Sequence, residues 1–181
     1  MKVVVTGGTG FAGHALSMKL RELGHDVFVL DTSPGIDAES MQKAGIDITL
    51  GSVTDRDVVT RLVDRAEVVF HLAAAFRELD VPDSHYFQVN VDGTRIMLEE
   101  SEKAGVRKFV YCSTCGVHGD IEHPPANEDA PIAPADYYQN SKYEAEPLVA
   151  EFHERGLDTV ILRPAAIYGP GDPDRFGMIF R

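Results

Sequence analysis

Basic residues, cysteines and long apolar runs are all scarce in this 181-residue chain. The 17 Lys and Arg residues are outnumbered by 29 Asp and Glu, which leaves a formal net charge of −12. Such a surface disfavours nucleic acid and anionic membranes as partners, because binding to phosphates needs a positive face. No apolar run approaches bilayer-spanning length, and a strand predicted from residue 3 leaves no room for a signal peptide. We therefore expect a cytoplasmic protein that binds neither nucleic acid nor membrane.

The two cysteines, Cys112 and Cys115, have the spacing C-x-x-C. A redox or metal function would fit this spacing, but a zinc site needs further ligands and the chain has no second pair. We interpret the cysteines as two small residues at the end of a buried strand, and we expect no metal site.

Apolar β-branched runs alternate with stretches of helical periodicity along the whole chain, without repeats, low-complexity tracts or linkers. Strands are predicted at 3–5, 26–31, 46–50, 68–72, 108–113 and 158–163. Helices are predicted after Gly13, over 37–44, from Thr54 or Asp55, over 84–104, over 137–154 and from near Asp174. Such alternation predicts one α/β domain with a doubly wound parallel sheet and right-handed crossovers.

The first predicted strand runs directly into a glycine-rich turn. Residues 3–5 are all valine, and the segment 6–13 (TGGTGFAG) places Gly7, Gly10 and Gly13 three residues apart. A helical pattern follows at once, and strand, glycine turn and helix together are the context in which this motif indicates a dinucleotide site. Glycines let backbone N–H groups approach a pyrophosphate, whose charge then lies at the positive end of the helix.

Asp31 closes the second predicted strand, shortly after the glycine turn. A carboxylate at this place can accept both hydroxyls of an adenosine ribose, and it would repel a 2′-phosphate. Neither Arg nor Lys follows within three residues. The sequence therefore predicts NAD as the cofactor rather than NADP.

A tyrosine and a lysine share one face of a later predicted helix. Tyr138 and Lys142 are four residues apart, and Asp136 with Gln139 is expected to form a capping box at the helix start. The helix dipole, the neighbouring ammonium and a bound cationic nicotinamide would lower the Tyr138 pKa from about 10. Thr114, just past the fifth strand, is placed to hold a substrate oxygen while Tyr138 moves its proton. Together they would let a hydride pass between a carbinol carbon and nicotinamide.

Other polar residues are given structural interpretations. His71 lies in an apolar run, so we interpret it as a core histidine with satisfied hydrogen bonds rather than as a ligand. Asn90 falls inside a predicted helix, where asparagine is unfavourable, and we expect a specific hydrogen bond that braces the active site. The alanines 73–75 permit either close approach of a flat ligand or tight packing. The Pro- and acid-rich loop 116–136 is long enough to suggest a functional role.

The motifs, in this order, resemble those of the extended short-chain dehydrogenase/reductase family, in its NAD-dependent epimerase/dehydratase branch. Residues 6–13 resemble its glycine signature, 71–74 its fourth-strand motif and 90–94 a helix motif. Residues 111–119 resemble the strand with the catalytic Ser or Thr, 138–142 the YxxxK segment and 163–172 the stretch that packs against nicotinamide. The resemblance covers essentially the whole chain and implies a Rossmann fold.

The resemblance also implies a role for each matching residue. Tyr138 would be the general base or acid, Lys142 would bind the nicotinamide ribose and lower the tyrosine pKa, and Thr114 would orient the substrate hydroxyl. Phe11 and Ala12 would lie along the pyrophosphate. The residues expected to bind NAD are Gly7, Gly10, Phe11, Ala12, Gly13, Asp31, Ser52, Val53, Leu72, Ala73, Ala74, Asn90, Tyr138, Lys142 and Pro164.

The chain departs from the family pattern in two places. Ser52 stands where the family commonly has an Asp that contacts adenine, so adenine would be held less tightly, with a backbone contact from Val53 instead. The sequence stops at Arg181, before most of the expected C-terminal substrate domain. We therefore expect residues 1–181 to form an NAD-binding Rossmann domain that carries the catalytic residues.

The leading prediction is an NAD-dependent oxidoreductase or epimerase acting on a secondary alcohol or ketone, by resemblance a small molecule of the nucleotide-sugar class. A hydroxysteroid- or dihydroflavonol-type dehydrogenase is the alternative, and an NAD-binding module without turnover is a third possibility. Dehydratase chemistry ranks lower, because Cys115 and Gly116 stand where family dehydratases place Asp-Glu. The resemblance alone also predicts a homodimer through helices 84–104 and 137–155.

Overall fold

A computed structural model describes residues 1–35, 37–78 and 80–172, in which six strands alternate with helices. The strands are β1 (Lys2–Thr6), β2 (Asp26–Asp31), β3 (Asp47–Leu50), β4 (Val68–His71), β5 (Lys108–Cys112) and β6 (Thr159–Leu162). The α-helices are α1 (Phe11–Glu22), α2 (Ala38–Lys43), α3 (Arg56–Val63), α4 (Asp83–Phe87), α5 (Gly93–Lys103) and α6 (Tyr137–Glu154). None of these helices is long and apolar enough to cross a bilayer.

The six strands form one parallel sheet in the order β3-β2-β1-β4-β5-β6. This order confirms the predicted doubly wound parallel sheet. The chain reverses its direction of travel across the sheet between β1 and β4, and ligands of such sheets bind at the carboxyl ends of the strands at that point. The crevice beyond Thr6 and His71 is therefore the place where a functional site is expected.

Both faces of the sheet are buried, which explains why β1 is an unbroken valine run. Val4 faces a cluster that includes Val69, Phe109 and Met97, beneath α3, α5 and α6. Val3 and Val5 face the opposite cluster, beneath α1 and α2. The central strand is thus held from both sides, and the glycine turn that follows it starts from a rigid position.

The predicted long helix 84–104 is interrupted in the structure. A π-helical turn, Gln88–Asp92, joins α4 to α5. It adds a residue to the turn and carries Asn90, which is fully buried. Helical periodicity alone does not reveal such a turn, because a single π-helical turn only slightly changes the spacing between two helices.

The predicted capping box of α6 is wrong in one half. Asp136 Oδ1 accepts a hydrogen bond from Gln139 N at 2.7 Å, as expected of an N-cap. Gln139 Oε1, however, accepts from Ala135 N at 2.7 Å, one residue before the cap. Helix α1 begins at Phe11, three residues before the predicted start after Gly13. The other predicted elements agree within one or two residues at their ends, and the helix predicted from near Asp174 lies outside the described residues.

Asp55 caps α3, since its Oδ1 accepts from Asp57 N at 3.0 Å and Val58 N at 3.2 Å. We expect Asp55→Ala to lower the free energy of unfolding by about 1 kcal/mol, because both amides lose their acceptor. Asp57→Ala, in the same turn but without a capping bond, is the control and should cost only about 0.3 kcal/mol. Urea denaturation measures both; equal losses would show that charge rather than capping stabilises this helix.

Candidate active site

The glycine turn packs so tightly that Gly7, Gly8 and Gly13 leave no room for a side chain. Gly7 has φ +67°, and a Cβ added there would lie 2.7 Å from Ala73 N. A Cβ at Gly13 would collide with Gly7 O, so α1 approaches the turn closely. At Gly10 the nearest atom would be 3.4 Å away, in ordinary contact. The open side of the turn therefore lies at Gly10, at the N-terminus of α1. A pyrophosphate is expected at this position in a dinucleotide-binding turn.

The residues after β4 form the other wall of this crevice. Leu72 N donates to Thr6 O at 3.1 Å, and Ala73 N donates to Thr6 Oγ1 at 3.2 Å. Phe11 and Ala12, in the first turn of α1, are half-buried. The predicted pyrophosphate residues and the small residues after β4 thus lie side by side.

Asp31 lies against the glycine turn at the end of β2. Its Oδ2 accepts from Thr9 N at 3.1 Å, and its Oδ1 accepts from Thr32 N at 2.8 Å. The side chain is only half-buried, so further lone pairs are open to ligand hydroxyls. The bond to Thr9 fixes the carboxylate beside the turn, and the sequence did not reveal it.

Ser52 and Val53 occupy the turn between β3 and α3. Ser52 Oγ bonds Thr54 Oγ1 at 2.8 Å and accepts from Thr54 N at 3.1 Å. The Val53 side chain is buried, and a Cβ at Gly93 would lie 2.7 Å from it. Both side chains are thus engaged within the protein, which leaves the backbone of this turn for any contact with a ligand.

His71 is fully buried and hydrogen-bonded at both ring nitrogens. Nδ1 lies 2.7 Å from Thr6 Oγ1, and Nε2 lies 2.9 Å from Thr94 Oγ1. Because the Thr94 hydroxyl donates to Asn90 O at 2.6 Å, it must accept from His71 Nε2–H. Nδ1 then accepts from the Thr6 hydroxyl. Burial lowers the pKa of His71 to about 3, in agreement with a neutral ring. These bonds agree with the interpretation of His71 as a core histidine.

Asn90 clamps the loop after β4 to α6. Its Oδ1 accepts from Ala75 N at 2.8 Å, while its Nδ2 donates to Ala75 O at 3.2 Å and to Ser141 Oγ at 2.9 Å. Ser141 Oγ donates in turn to Tyr138 O at 2.8 Å. The expected bracing hydrogen bond therefore exists, and it reaches the backbone of the candidate catalytic tyrosine.

Tyr138 lies in the first turn of α6 and is half-buried. Burial raises the pKa of Tyr138 to about 12, and the nearby acidic groups of Cys112, Asp136 and Cys115 add to the effect. In the cofactor-free protein this pKa is thus shifted upwards, opposite to the expected lowering, which also included a bound nicotinamide. Desolvation is the largest cause, and in the sequence the acidic neighbours were visible only as the C-x-x-C motif and Asp136.

Lys142 is buried to 1% exposure, and its Nζ has no hydrogen-bond partner among the described residues. The ammonium lies 4.2 Å from the centre of the Tyr111 ring. Burial lowers the pKa of Lys142 to about 8, although Cys112 and Glu146 partly oppose the shift. Leaving a buried ammonium without acceptors is costly. This unused donor fits a cofactor that offers hydroxyl acceptors, as a nicotinamide ribose does.

Thr114 precedes a 3₁₀ turn, Cys115–His118, and caps it by accepting from Gly116 N at 3.1 Å. Within the described part of the chain its hydroxyl donates to no acceptor, so its proton is available to a substrate oxygen. Cys115 N donates to Pro164 O at 3.0 Å, and a Cβ at Gly116 would lie 3.1 Å from the Gln139 side chain. These contacts bring Thr114, Pro164 and the start of α6 together.

Sequence reasoning missed an ion pair behind Thr114. Glu146 Oε2 accepts from Arg163 Nη2 at 2.6 Å, and its Oε1 accepts from Arg163 Nε at 3.0 Å and from Ser113 Oγ at 2.6 Å. Arg163 Nη1 lies 2.9 Å from His118 Nε2. The pair therefore holds both ends of the segment that carries Thr114. Arg163 stands in a recognised segment and Glu146 lies just beyond another, but no local rule pairs them.

The cysteines differ from the interpretation given to them. Both are free; Cys112 ends β5 and is half-buried, whereas Cys115 is exposed in the 3₁₀ turn. The interpretation as two residues at the end of a buried strand is therefore wrong for Cys115. Among residues 1–35, 37–78 and 80–172, no three His, Cys, Asp or Glu side chains are grouped so as to hold a metal ion.

A glycine turn at the switch point of a parallel sheet, with a Tyr–Lys helix beside it, defines a dinucleotide-binding domain of the short-chain dehydrogenase/reductase class. The chain belongs to the NAD dependent epimerase/dehydratase family, whose model matches residues 3–180. This confirms the family resemblance and the predicted cofactor, NAD.

Relatives named for different functions resemble this chain. A 3 beta-hydroxysteroid dehydrogenase/Delta 5-->4-isomerase of Mycobacterium tuberculosis is 34% identical over 189 residues, covering 99% of this chain and 50% of its own. The solved UDP-glucose 4-epimerase of Thermotoga maritima, with UDP-glucose, is 34% identical at TM-score 0.86, covering 97% and 59% of the two chains. A short-chain dehydrogenase/reductase superfamily protein from Agrobacterium tumefaciens, with bound NAD, is 32% identical at TM-score 0.80, covering 90% and 48%. The chain spans about half the length of the curated relatives it matches.

Burial of Lys142 makes stability depend on pH. Its folded pKa of about 8 lies below the ordinary 10.5, so the unfolded chain binds more protons between these values and stability rises with pH there. Below about pH 8, Lys142 is charged in the folded protein, and the full free-energy cost of burying its ammonium remains. We expect Lys142→Met to stabilise the cofactor-free protein by roughly 1–3 kcal/mol at pH 7, a gain that shrinks towards pH 10.

Urea denaturation of both proteins across this pH range measures that gain. Lys19→Met is the control, because the Lys19 side chain is 60% exposed on α1. A gain for Lys142→Met that does not change with pH would contradict the assignment of the penalty to a buried ammonium.

Proposed function

We propose that this protein is an NAD-dependent oxidoreductase that transfers hydride between nicotinamide and the carbinol carbon of a secondary alcohol. The observation that carries the proposal is the Lys142 ammonium, which is buried without an acceptor one helical turn from Tyr138. A structural lysine would normally be paired or exposed. A lysine kept free in this position is best explained by a ligand that completes its hydrogen bonds.

The proposed cofactor site extends along the carboxyl ends of β2, β1 and β4 to β5. Backbone amides at Gly7, Gly10, Phe11, Ala12 and Gly13 would hold the pyrophosphate, which suits a chain of net charge −12 because no basic cluster is needed. Asp31 would accept the ribose hydroxyls at one end. The residues proposed to line the remaining length are Ser52, Val53, Leu72, Ala73, Ala74, Asn90, Tyr138, Lys142 and Pro164.

The proposed chemistry moves one proton and one hydride. NAD, when bound, supplies the hydride acceptor. The Tyr138 phenolate accepts the proton of the substrate hydroxyl as the carbinol hydrogen leaves with its electron pair, and Thr114 donates a hydrogen bond to the substrate oxygen. The cofactor-free phenol has its pKa raised to about 12. A cationic nicotinamide and a protonated Lys142 beside it would favour the phenolate, so ionisation of Tyr138 would follow NAD binding.

A nucleotide sugar is the proposed substrate, and the likeness to UDP-glucose 4-epimerase supports it. A hydroxysteroid is the second candidate, supported by the equally identical hydroxysteroid dehydrogenase/isomerase. A binding module without turnover could still use Lys142 to hold the cofactor, but it would have no use for the Tyr138 phenol and the Thr114 hydroxyl, which are proposed to contact the substrate. Reduction of NAD over a panel of sugar nucleotides, uronates and sterols distinguishes these possibilities.

We expect Tyr138→Phe to lower kcat at least about 100-fold, because the proton acceptor is lost, while the dissociation constant of NAD stays within about twofold. Tyr137→Phe is the matched control: it is the neighbouring residue, 54% exposed, and should leave kcat unchanged. NADH absorbance gives the rates, and calorimetry gives the NAD affinity. A Tyr138→Phe enzyme with full activity would remove this residue from the mechanism.

We expect Asp31→Ser to weaken NAD binding about tenfold, since the ribose loses a charge-assisted acceptor, and to improve binding of NADP relative to NAD. Asp26→Ser, at the opposite end of β2, is the control and should change neither constant. Calorimetric titration with each cofactor measures both. An unchanged ratio of the NAD and NADP constants would show that Asp31 does not contact the ribose.

A further inference from the structure

An exposed aromatic side chain lies against the candidate catalytic tyrosine. Phe76 is 45% exposed, yet its ring centroid is 4.7 Å from that of Tyr138, at an edge-on angle of 62°. Edge-to-face pairs of this kind are attractive. Phe76 thus forms a wall of the space beside the phenol, and neither the glycine turn nor the proposed cofactor contacts account for it.

The segment 75–78 that carries Phe76 is anchored at both ends. Ala75 is bound through its N–H and its C=O to Asn90. At the other end, Glu78 pairs with His85 at 3.0 Å, and its carbonyl accepts from Tyr86 Oη at 3.3 Å. Phe76 and the next residue therefore project from a short, fixed support. Side chains held in this way are pre-organised for binding.

The next residue, Arg77, presents a free guanidinium at the same place. Its Cζ lies 5.1 Å from the Phe76 ring centroid, and its backbone has φ +51°, in the left-handed region. Non-glycine residues in that region carry a cost that often accompanies function. No carboxylate in the described ranges pairs with Arg77, although the chain has 29 acidic residues. Stacked guanidinium groups retain N–H donors that match carboxylates and phosphates.

We propose that Arg77 binds an anionic group of the substrate, a carboxylate or a phosphate, while Phe76 packs against the part of the substrate between that group and the reacting carbinol. The inference rests on the proposed function, because it takes Tyr138 as the reacting end. The Phe76 ring contacts both the Arg77 guanidinium and the Tyr138 ring, so one substrate could reach both groups across it. The substrate class is an anionic secondary alcohol, and uncharged sterols are disfavoured.

Matched sugars test the proposal on the NAD-loaded protein. Galactose, galacturonate and galactose 1-phosphate share a ring and differ in the presence and position of the anion. We expect calorimetry to show that at least one anionic sugar binds 10-fold or more tightly than galactose. Arg77→Gln should abolish that preference without changing galactose affinity, and Arg77→Lys should restore part of it. Arg61→Gln, an exposed arginine on α3, is the control and should keep the preference.

The outcomes separate the two proposals. A preference for galacturonate assigns a carboxylate, and a preference for the phosphate assigns a phosphoryl group; either supports the inference if Arg77→Gln removes it. Equal binding of all three sugars, or an equal loss in Arg61→Gln, overturns it. NADH formation is measured separately. If no member of the panel of sugar nucleotides, uronates and sterols is turned over while the Arg77-dependent preference remains, the proposed reaction fails but the anion site stands.

Discussion

A buried chain of hydrogen bonds joins the glycine turn to the candidate catalytic helix, and the site geometry depends on it. Its members, in order, are Thr6, His71, Thr94, Asn90, Ser141 and the backbone carbonyl of Tyr138. Every proton in this chain has one assignment, which requires a neutral His71. In the core an unpaired member would cost more than the bond itself contributes, so the chain allows one arrangement. The hydrogen bonds therefore fix the position of the glycine turn, where a pyrophosphate is proposed to bind, relative to the helix that carries Tyr138.

Burial acts in opposite directions on the two groups that the proposed chemistry needs to be charged. It raises the pKa of Tyr138 to about 12 and lowers the pKa of Lys142 to about 8. Each shift disfavours the charged form, and each would be reduced by a partner that supplies charge or hydrogen bonds. In the proposed mechanism, the Tyr138 phenol would become active as a base only when a cationic cofactor lies beside it. Such coupling would protect the site from proton transfer without hydride transfer.

The ion pair of Glu146 and Arg163 holds the segment around Thr114 in place, just as Asn90 holds the backbone around Tyr138 in place. One carboxylate binds Ser113 just before the threonine, and the guanidinium reaches His118 just after it. Two separate networks therefore position the two residues whose hydroxyls are proposed to contact the substrate. The 75–78 segment, held by Asn90 as well, adds Phe76 and Arg77 to the same support.

Features encoded within a few residues were predictable from the sequence, and features that depend on distant contacts were not. The parallel sheet and the dinucleotide-binding turn could be predicted from the valine run, the glycine spacing and Asp31, because the sequence rules for strands, turns and helices are local. Asn90 was recognised as anomalous, but its partners Ala75 and Ser141 come from other elements. The direction of the Tyr138 pKa shift depended on desolvation, and no sequence spacing reports how deeply a phenol is buried.

The ionisation of Tyr138 with and without NAD⁺ tests the central claim most directly. At about pH 9 a phenol with a pKa near 12 is un-ionised. The account predicts that saturating NAD⁺ produces tyrosinate absorbance in the wild-type protein and none in Tyr138→Phe. Tyrosinate absorbance from Tyr138 before NAD⁺ is added, or none after it, would contradict a base whose ionisation follows cofactor binding.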